Sequence, residues 1–493
     1  MLLLGIDIGT SSIKVSVVDG DTSKSIITVQ YPETEVAIDS PQPGWAEQDP
    51  DTWWKHAVAA IQLANASGKF DAAAIGAIGI AYQMHGLVVL DKNHEVLRPS
   101  IIWCDSRAVS IGAKANELLG SDFCLSHLLN SPGNFTASKL AWVKANEPDV
   151  YAEVAHVMLP GDYIAFRLCG NVSTTPSSLS EAVLWDFTTN AISHELLSYF
   201  GIDPSLFAAT QPVFSIHGKL SDKVANELNL KAGIPVSYKA GDQPNNALSL
   251  GVLEPGEVAA TAGTSGVIYA VSDLLNPDPL SRVNSFAHVN HQQGQVRIGI
   301  LLCINGTGIL YSWARQQLAA ARSYSSLNDA AASVPPGSDG VLVLPFGNGA
   351  ERMLGNRSTG VHFSGIDLVK HNHAHIFRAI QEGIAFAFRY GLDIMRSNGH
   401  QPSLIRAGRT NLFQSEVFLQ SFVAATGVPV SLYASDGSVG AAIGAGIGCG
   451  YYKDSNEAFR NQQPIRTVLP QDCPNLETPY QHWLQLLHKL LPD

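Results

Sequence analysis

The chain has 493 residues, which is long for a single hydrophobic core, so two domains are expected. With 45% hydrophobic and 15% charged residues it reads as a well-buried globular enzyme, not a disordered chain. A formal net charge of −12 argues against a nucleic-acid surface, though not against a small pocket for a phosphorylated ligand. The amino terminus, MLLLGIDIGT, lacks a basic leader, and Asp7 interrupts its apolar run, so it is expected to be a buried strand. LLLGID and KVSVVDG form a predicted hairpin around a Gly-Thr-Ser turn. Residues 51–66 are amphipathic behind an aspartate and predict a helix; 73–83 predict a small-residue strand leading into Met84-His85-Gly86. IPVSYKAG predicts a further strand, ending at Asp242 in a Gly/Pro/Asn-rich turn. GVLEPGE (251–257) carries turn residues and marks the expected domain junction, giving domains 1–253 and 254–493. Helices are then expected over 374–399 and 415–427, followed by a strand at VPVSLYA, a Gly/Ala-rich helix over 438–450 and a packing helix at the carboxy terminus.

One motif occurs twice. ATAGTSGVIYAVSD (260–273) aligns without gaps on IDIGTSSIKVSVVD (6–19), with Gly, Thr, Ser, a Val and the final Asp coinciding. Glycine and short hydroxyl residues at a hairpin tip let backbone N–H groups approach a phosphate. A single Gly-Thr-Ser is an ordinary turn; two at matching places point to an internal duplication whose tips share a task. Asp7 has no counterpart in the second copy, where Thr261 stands, so the halves differ. Asp7 is a candidate ligand for Mg²⁺ on nucleotide phosphates, and a turn cap otherwise. Asp242 is a candidate acceptor for an alcohol proton in phosphoryl transfer, and a turn residue otherwise. Asp105 and Arg107 in WCDSR suit sugar hydroxyls, as they also suit a solvated loop. HNHAH (371–375) has no second metal-ligand cluster and reads as a solvated helix start. Six scattered cysteines without a C-x-x-C pair fit reduced thiols in the cytoplasm.

Taken together, GWAEQDPDTWW, QMHG, IIWCDSR, LPFGNGAERM, IQEGIAFAFRYGLD and DGSVGAAIGAG resemble the FGGY family of carbohydrate kinases over essentially the whole chain. The resemblance implies an α/β fold: two duplicated actin/hexokinase/Hsp70-like (ribonuclease H-like) domains with the active-site cleft between them. It implies ATP and Mg²⁺ as cofactors and D-xylulose as the sugar, with its 5-hydroxyl as acceptor. Asp242 falls at the family's catalytic base, with Gln243 at the position after it. Met84 and His85 fall at the sugar contact. Thr10 and Ser11 fall in the first phosphate loop, Gly263, Thr264 and Ser265 in the second. Gly408 and Asn411 fall at the adenosine loop, which here keeps a single glycine in IRAGRTNLFQS. The rival acceptors are other sugars or sugar acids such as ribulose and gluconate. The rival from another class is a non-catalytic ATP-binding sensor on the same fold. No nucleic-acid or membrane partner is expected, and a homodimer is one assembly the sequence allows.

Overall fold

The computed structural model describes residues 1–434 and 436–491. The chain divides into two compact units. The first comprises Met1–Leu253, Ser285–Gly299 and Asp436–Gln462; the second comprises Glu254–Asn284, Ile300–Ser435 and Gln463–Asp493. The break after Leu253 falls in the expected junction. Residues 285–299 and 436–462 follow that junction in sequence yet pack with the first unit.

The reason for the second exchange is packing. The first unit is built on a sheet whose strands run, in spatial order, Phe214–Lys219, Pro235–Gly241, Ile75–Tyr82, Leu2–Ile8, Ile13–Asp19 and Lys24–Tyr31. The Gly/Ala-rich helix Gly437–Gly448 lies on its middle strands and shares one core with Leu3, Ala77, Tyr238 and Ala240. A side chain at Gly5 or Gly79 would overlap the carbonyls of Ser438 or Ala441, and one at Gly444 would press on the Tyr238 ring. Small residues on both surfaces therefore let backbone approach backbone. Ser16 Oγ and Ser438 Oγ, 2.7 Å apart, and Ser237 Oγ donating to Ala445 O at 2.8 Å satisfy the polar atoms buried there. The helix Pro50–Ala66, capped by Asp49, packs against strands at the amino-terminal side of the sheet.

In the second unit the neighbouring strands Gly266–Ser272, Glu257–Ala262, Leu404–Gly408, Val430–Tyr433 and Arg466–Val468 repeat that order. In each unit a hairpin strand pairs antiparallel with its successor and parallel with a later strand (Leu2–Ile8 with Ile75–Tyr82, Glu257–Ala262 with Leu404–Gly408). The outermost strand reverses again. The duplication is thus one of topology as well as of motif. The copies are not identical at the tip. Ile8 pairs with Ile13 but Ala262 pairs with Gly266, so the first loop holds four residues, 9–12, and the second three, 263–265. A gapless sequence alignment conceals that difference.

The long helix His373–Ser397 crosses the second unit. Asn372 caps it, with His375 completing a capping box. HNHAH is therefore a helix start, as expected. His375 is nevertheless largely buried and meets Asp339 Oδ2 at 3.3 Å, so it is not solvated. Phe388 packs edge-on to Phe422 of the helix Glu416–Thr426, at 5.2 Å between ring centres. Among the described residues no helix is long and apolar enough to cross a membrane, and no group of three or more His, Cys, Asp or Glu side chains is placed to hold a metal by itself.

Candidate active site

In the first unit, three segments of sequence converge at strand ends. The first hairpin presents Asp7, followed by the loop 9–12. The strand Ile75–Tyr82 ends in Gln83-Met84-His85. The strand Pro235–Gly241 ends at Asp242, which begins the helix Asp242–Ser249. The sequence predicts a turn after Asp242. The structure has a helix instead, which tolerates Pro244 because it stands in the first turn, where no intrahelical N–H is needed.

Burial pushes the Asp7 carboxyl up to about 6; Asp436 raises it further and Lys14 opposes the shift. Burial pushes Asp242 up to about 7, with the Asp7 charge adding to it. Asp242 sits at a helix start, where the helix dipole favours a carboxylate. Desolvation and the neighbouring negative charge outweigh that preference here. A side chain at Gly437 would collide with Asp7 Oδ2, so the start of the Gly/Ala-rich helix lies directly on this carboxyl. Asn245 fixes the arrangement by donating to Gly437 O at 2.8 Å. Gln243 Nε2 lies 3.4 Å from Asp242 Oδ2.

Met84 is buried against Gly241: a Cβ there would lie 2.5 Å from Met84 Cγ. His85 adopts a left-handed backbone, φ 63°, a conformation that costs energy for a residue with a side chain. Two bonds secure it. Lys139 Nζ donates to His85 O at 2.8 Å and to Ile102 O at 3.0 Å, and His85 Nδ1 meets Glu181 O at 2.9 Å. Lys139 is fully buried, and its amine is pushed down to about 7 by desolvation. A carbonyl only accepts, so His85 Nδ1 carries a proton and donates to Glu181 O.

A recess of about 280 Å³ is lined by Asp7, Gly9, Thr10, Ser11, Ser12 and Lys14. The Thr10 hydroxyl is already engaged, donating to Gln83 Oε1 at 3.1 Å and accepting from Trp103 Nε1 at 2.9 Å. That leaves the exposed Ser11 hydroxyl and the loop backbone to face a ligand. Asp105 and Arg107 bind each other instead of presenting polar groups outward. Arg107 Nη2 meets Asp105 Oδ2 at 2.7 Å, Arg107 Nη1 meets buried Glu47 at 2.7 Å, and the guanidinium stacks 3.8 Å from the Trp45 ring centre. Asp105 also accepts from Ala46 N at 2.6 Å.

The second unit holds a cavity of about 730 Å³. Gly263, Thr264 and Asn411 line it, whereas Ser265 and Gly408 do not. Gly408 closes its strand one turn before Asn411, whose left-handed φ of 51° turns the chain into the cavity wall. The second Gly-Thr-Ser turn is held to the start of the helix Gly308–Leu318. Gly308 N donates to Gly263 O at 2.9 Å and Ile309 N to Thr264 O at 3.1 Å. Tyr311, Ser312, Asn328 and Gln414 complete the wall, and sequence reasoning missed all four. For Tyr311 and Ser312 the signal was NGTGIL, a Gly-Thr-Gly before a helix, and Gln414 stands in IRAGRTNLFQS. Glu181, Lys139 and Asp436 in the first unit were missed as well.

The profile of the amino-terminal domain of FGGY carbohydrate kinases matches residues 2–249, and that of the carboxy-terminal domain matches 258–449. The chain belongs to the FGGY family of carbohydrate kinases. Among its relatives, the xylulose kinase of Klebsiella pneumoniae is 29% identical, over 90% of this chain and 88% of that one. The xylulose kinase of Haemophilus influenzae is 30% identical over 82% of each. The crystal structure of xylulose kinase from Rhodospirillum rubrum superposes with a TM-score of 0.89 at 26% identity, covering 100% of this chain and 99% of that one. The protein is therefore a carbohydrate kinase of the actin/hexokinase-like fold, an enzyme that takes ATP as its phosphoryl donor.

Proposed function

We propose that this kinase transfers the γ-phosphoryl group of ATP to the 5-hydroxyl of D-xylulose. The observation that carries the reading is the packing of Met84 against Gly241, which sets the Met84-His85 pair beside Asp242. A chain alignable over nine tenths of its length with xylulose kinases supports the choice of sugar. Asp242 accepts the hydroxyl proton as the loose transition state forms. A carboxyl held near neutrality suits that task, because a large fraction is ionised near the working pH and that form is basic enough to take a proton. His85 Nε2 accepts a hydrogen bond from a sugar hydroxyl, its ring oriented by the Glu181 carbonyl. Gln243 supplies a further polar contact to the sugar. Asp105 and Arg107 act indirectly, holding the loop behind Trp103.

The cavity of the second unit takes the nucleotide, with Thr264 at the phosphates and Asn411 near the adenosine. The loop carrying Thr10 and Ser11 offers backbone N–H groups to phosphate oxygens. Asp7 and Asp242 fit a divalent cation: each carboxyl raises the cost of ionising its neighbour, and a cation beside them relieves both. Mg²⁺ bound there, Asp7 being its principal ligand, would neutralise charge on the phosphates. With free thiols only among its described cysteines, the enzyme suits the cytoplasm, where ATP is supplied. The test is ADP release across D-xylulose, D-ribulose, D-gluconate and glycerol. The highest kcat/KM with D-xylulose supports the assignment, and a higher value with any other acceptor overturns it.

A further inference from the structure

Glu181 ends the short helix Pro176–Glu181 and is 2% exposed. Among the described residues neither of its carboxyl oxygens has a hydrogen-bond partner at full geometry and it forms no ion pair, though the Tyr82 hydroxyl lies close enough to oppose its pKa rise. The adjacent Tyr82 hydroxyl is engaged with Ser178 Oγ at 2.9 Å. Leaving such a group unmatched costs about 1–3 kcal/mol, so its retention calls for a reason. Its location supplies one. A Cβ at Gly241 would lie 2.8 Å from Glu181 Oε2 and 2.5 Å from Met84 Cγ. The carboxyl and the Met84 side chain therefore meet at the residue preceding Asp242. The backbone of Glu181 already orients His85. Burial, with the Asp242 and Asp162 charges adding to it and Tyr82 and Lys139 opposing, raises the Glu181 carboxyl well above its ordinary range.

We propose that Glu181 is a specificity-determining residue for the acceptor: its carboxyl hydrogen-bonds a hydroxyl of a polyhydroxylated acceptor beside the reacting one, once the flexible Met84 side chain turns aside. A carboxyl oxygen accepts a hydrogen bond from a hydroxyl, which matches a sugar. A buried polar group left unpaired without the right ligand is also how a site rejects acceptors that lack the hydroxyl. Thioether side chains adopt alternative rotamers at low cost, which suits Met84 as a cover.

The inference rests on the D-xylulose reading, and one experiment separates the two. Native enzyme, Glu181→Gln and Glu181→Met are compared for D-xylulose kinetics, for ATP hydrolysis without sugar, and for melting temperature. Glu181→Gln keeps an acceptor oxygen and stays within about threefold of native kcat/KM. Glu181→Met keeps the volume but removes that oxygen, and kcat/KM for D-xylulose falls about 10–100-fold, chiefly through KM, a loss equivalent to about 1.4–2.8 kcal/mol. Sugar-free ATP hydrolysis is unchanged in both variants, and Glu181→Met melts no lower than native because no hydrogen bond is lost. A native KM for D-xylulose in Glu181→Met overturns the inference and leaves the D-xylulose reading intact. So does an equal loss in Glu181→Gln with the fold preserved. Absence of D-xylulose turnover by the native enzyme overturns the acceptor reading, and this inference with it.

Discussion

In the proposed reaction Asp242 is the base, and its carboxyl also strains the fold. Its carboxyl is held at about 7, against 3.8 ordinarily, so the native state keeps a proton that the unfolded chain has released over that interval. The native state then binds more protons than the unfolded one, and its stability falls as pH rises from about 4 to about 7, with no further loss above. Asp7, held at about 6, acts in the same direction. Asp242→Asn removes the titration. Its melting temperature is expected to exceed the native value at pH 8 in metal-free buffer and to match it near pH 4; equal melting at both pH values would refute the buried-carboxyl account. His85 is expected to behave differently. His85→Ala loses a buried sugar contact, so kcat/KM for D-xylulose falls by about 1–3 kcal/mol while sugar-free ATP hydrolysis is retained. An equal fall in both activities would make His85 structural. Asp7, Asp242 and His85 stand out in the sequence as candidates because they follow strands beside small-residue turns. Glu181 does not. It sits in SSLSEAVLW, which reads as an unremarkable helix, and only its burial without a partner reveals it.

At the scale of elements, hydrophobic periodicity located the expected helices within a few residues, because their apolar faces are continuous. It failed after Asp242, where Pro244, Asn245 and Asn246 lower helix propensity yet occupy a helix held by packing and by the Asn245–Gly437 bond. The Gly/Ala-rich helix was expected over 438–450, but the sheet of the first unit on which it lies was not. Its contact with the first sheet depends on absent side chains. Gly5→Val is expected to destabilise the protein by at least about 1–3 kcal/mol, since the Ser438 carbonyl cannot withdraw without moving the helix. Urea denaturation reads this as a lowered midpoint; an unchanged midpoint would contradict the backbone contact. In the second unit, Thr264→Val is expected to raise KM for ATP by an amount on the order of 1–3 kcal/mol, one phosphate contact left unmade. Native ATP kinetics in a folded Thr264→Val variant would remove the second turn from the nucleotide site.

For the whole molecule, the sequence announced two duplicated units but not how the chain is shared between them. Repeated motifs report local turns, whereas the membership of residues 285–299 and 436–462 is decided by tertiary packing of segments distant in sequence. The chain passes between units at several places, so a ligand-driven closure has to bend them together. D-xylulose with a non-hydrolysable ATP analogue is expected to reduce the radius of gyration in solution scattering; an unchanged radius at saturation would argue against closure as a gate to water. The account as a whole depends on one group, the Asp242 carboxylate acting on an acceptor hydroxyl. The direct measurement is ADP release with and without D-xylulose by native enzyme and by Asp242→Asn, the variant first shown to be folded. The account predicts sugar-stimulated turnover in the native enzyme and a loss of about 10²–10⁴-fold in kcat for Asp242→Asn. Near-native turnover by the folded Asp242→Asn variant would contradict it.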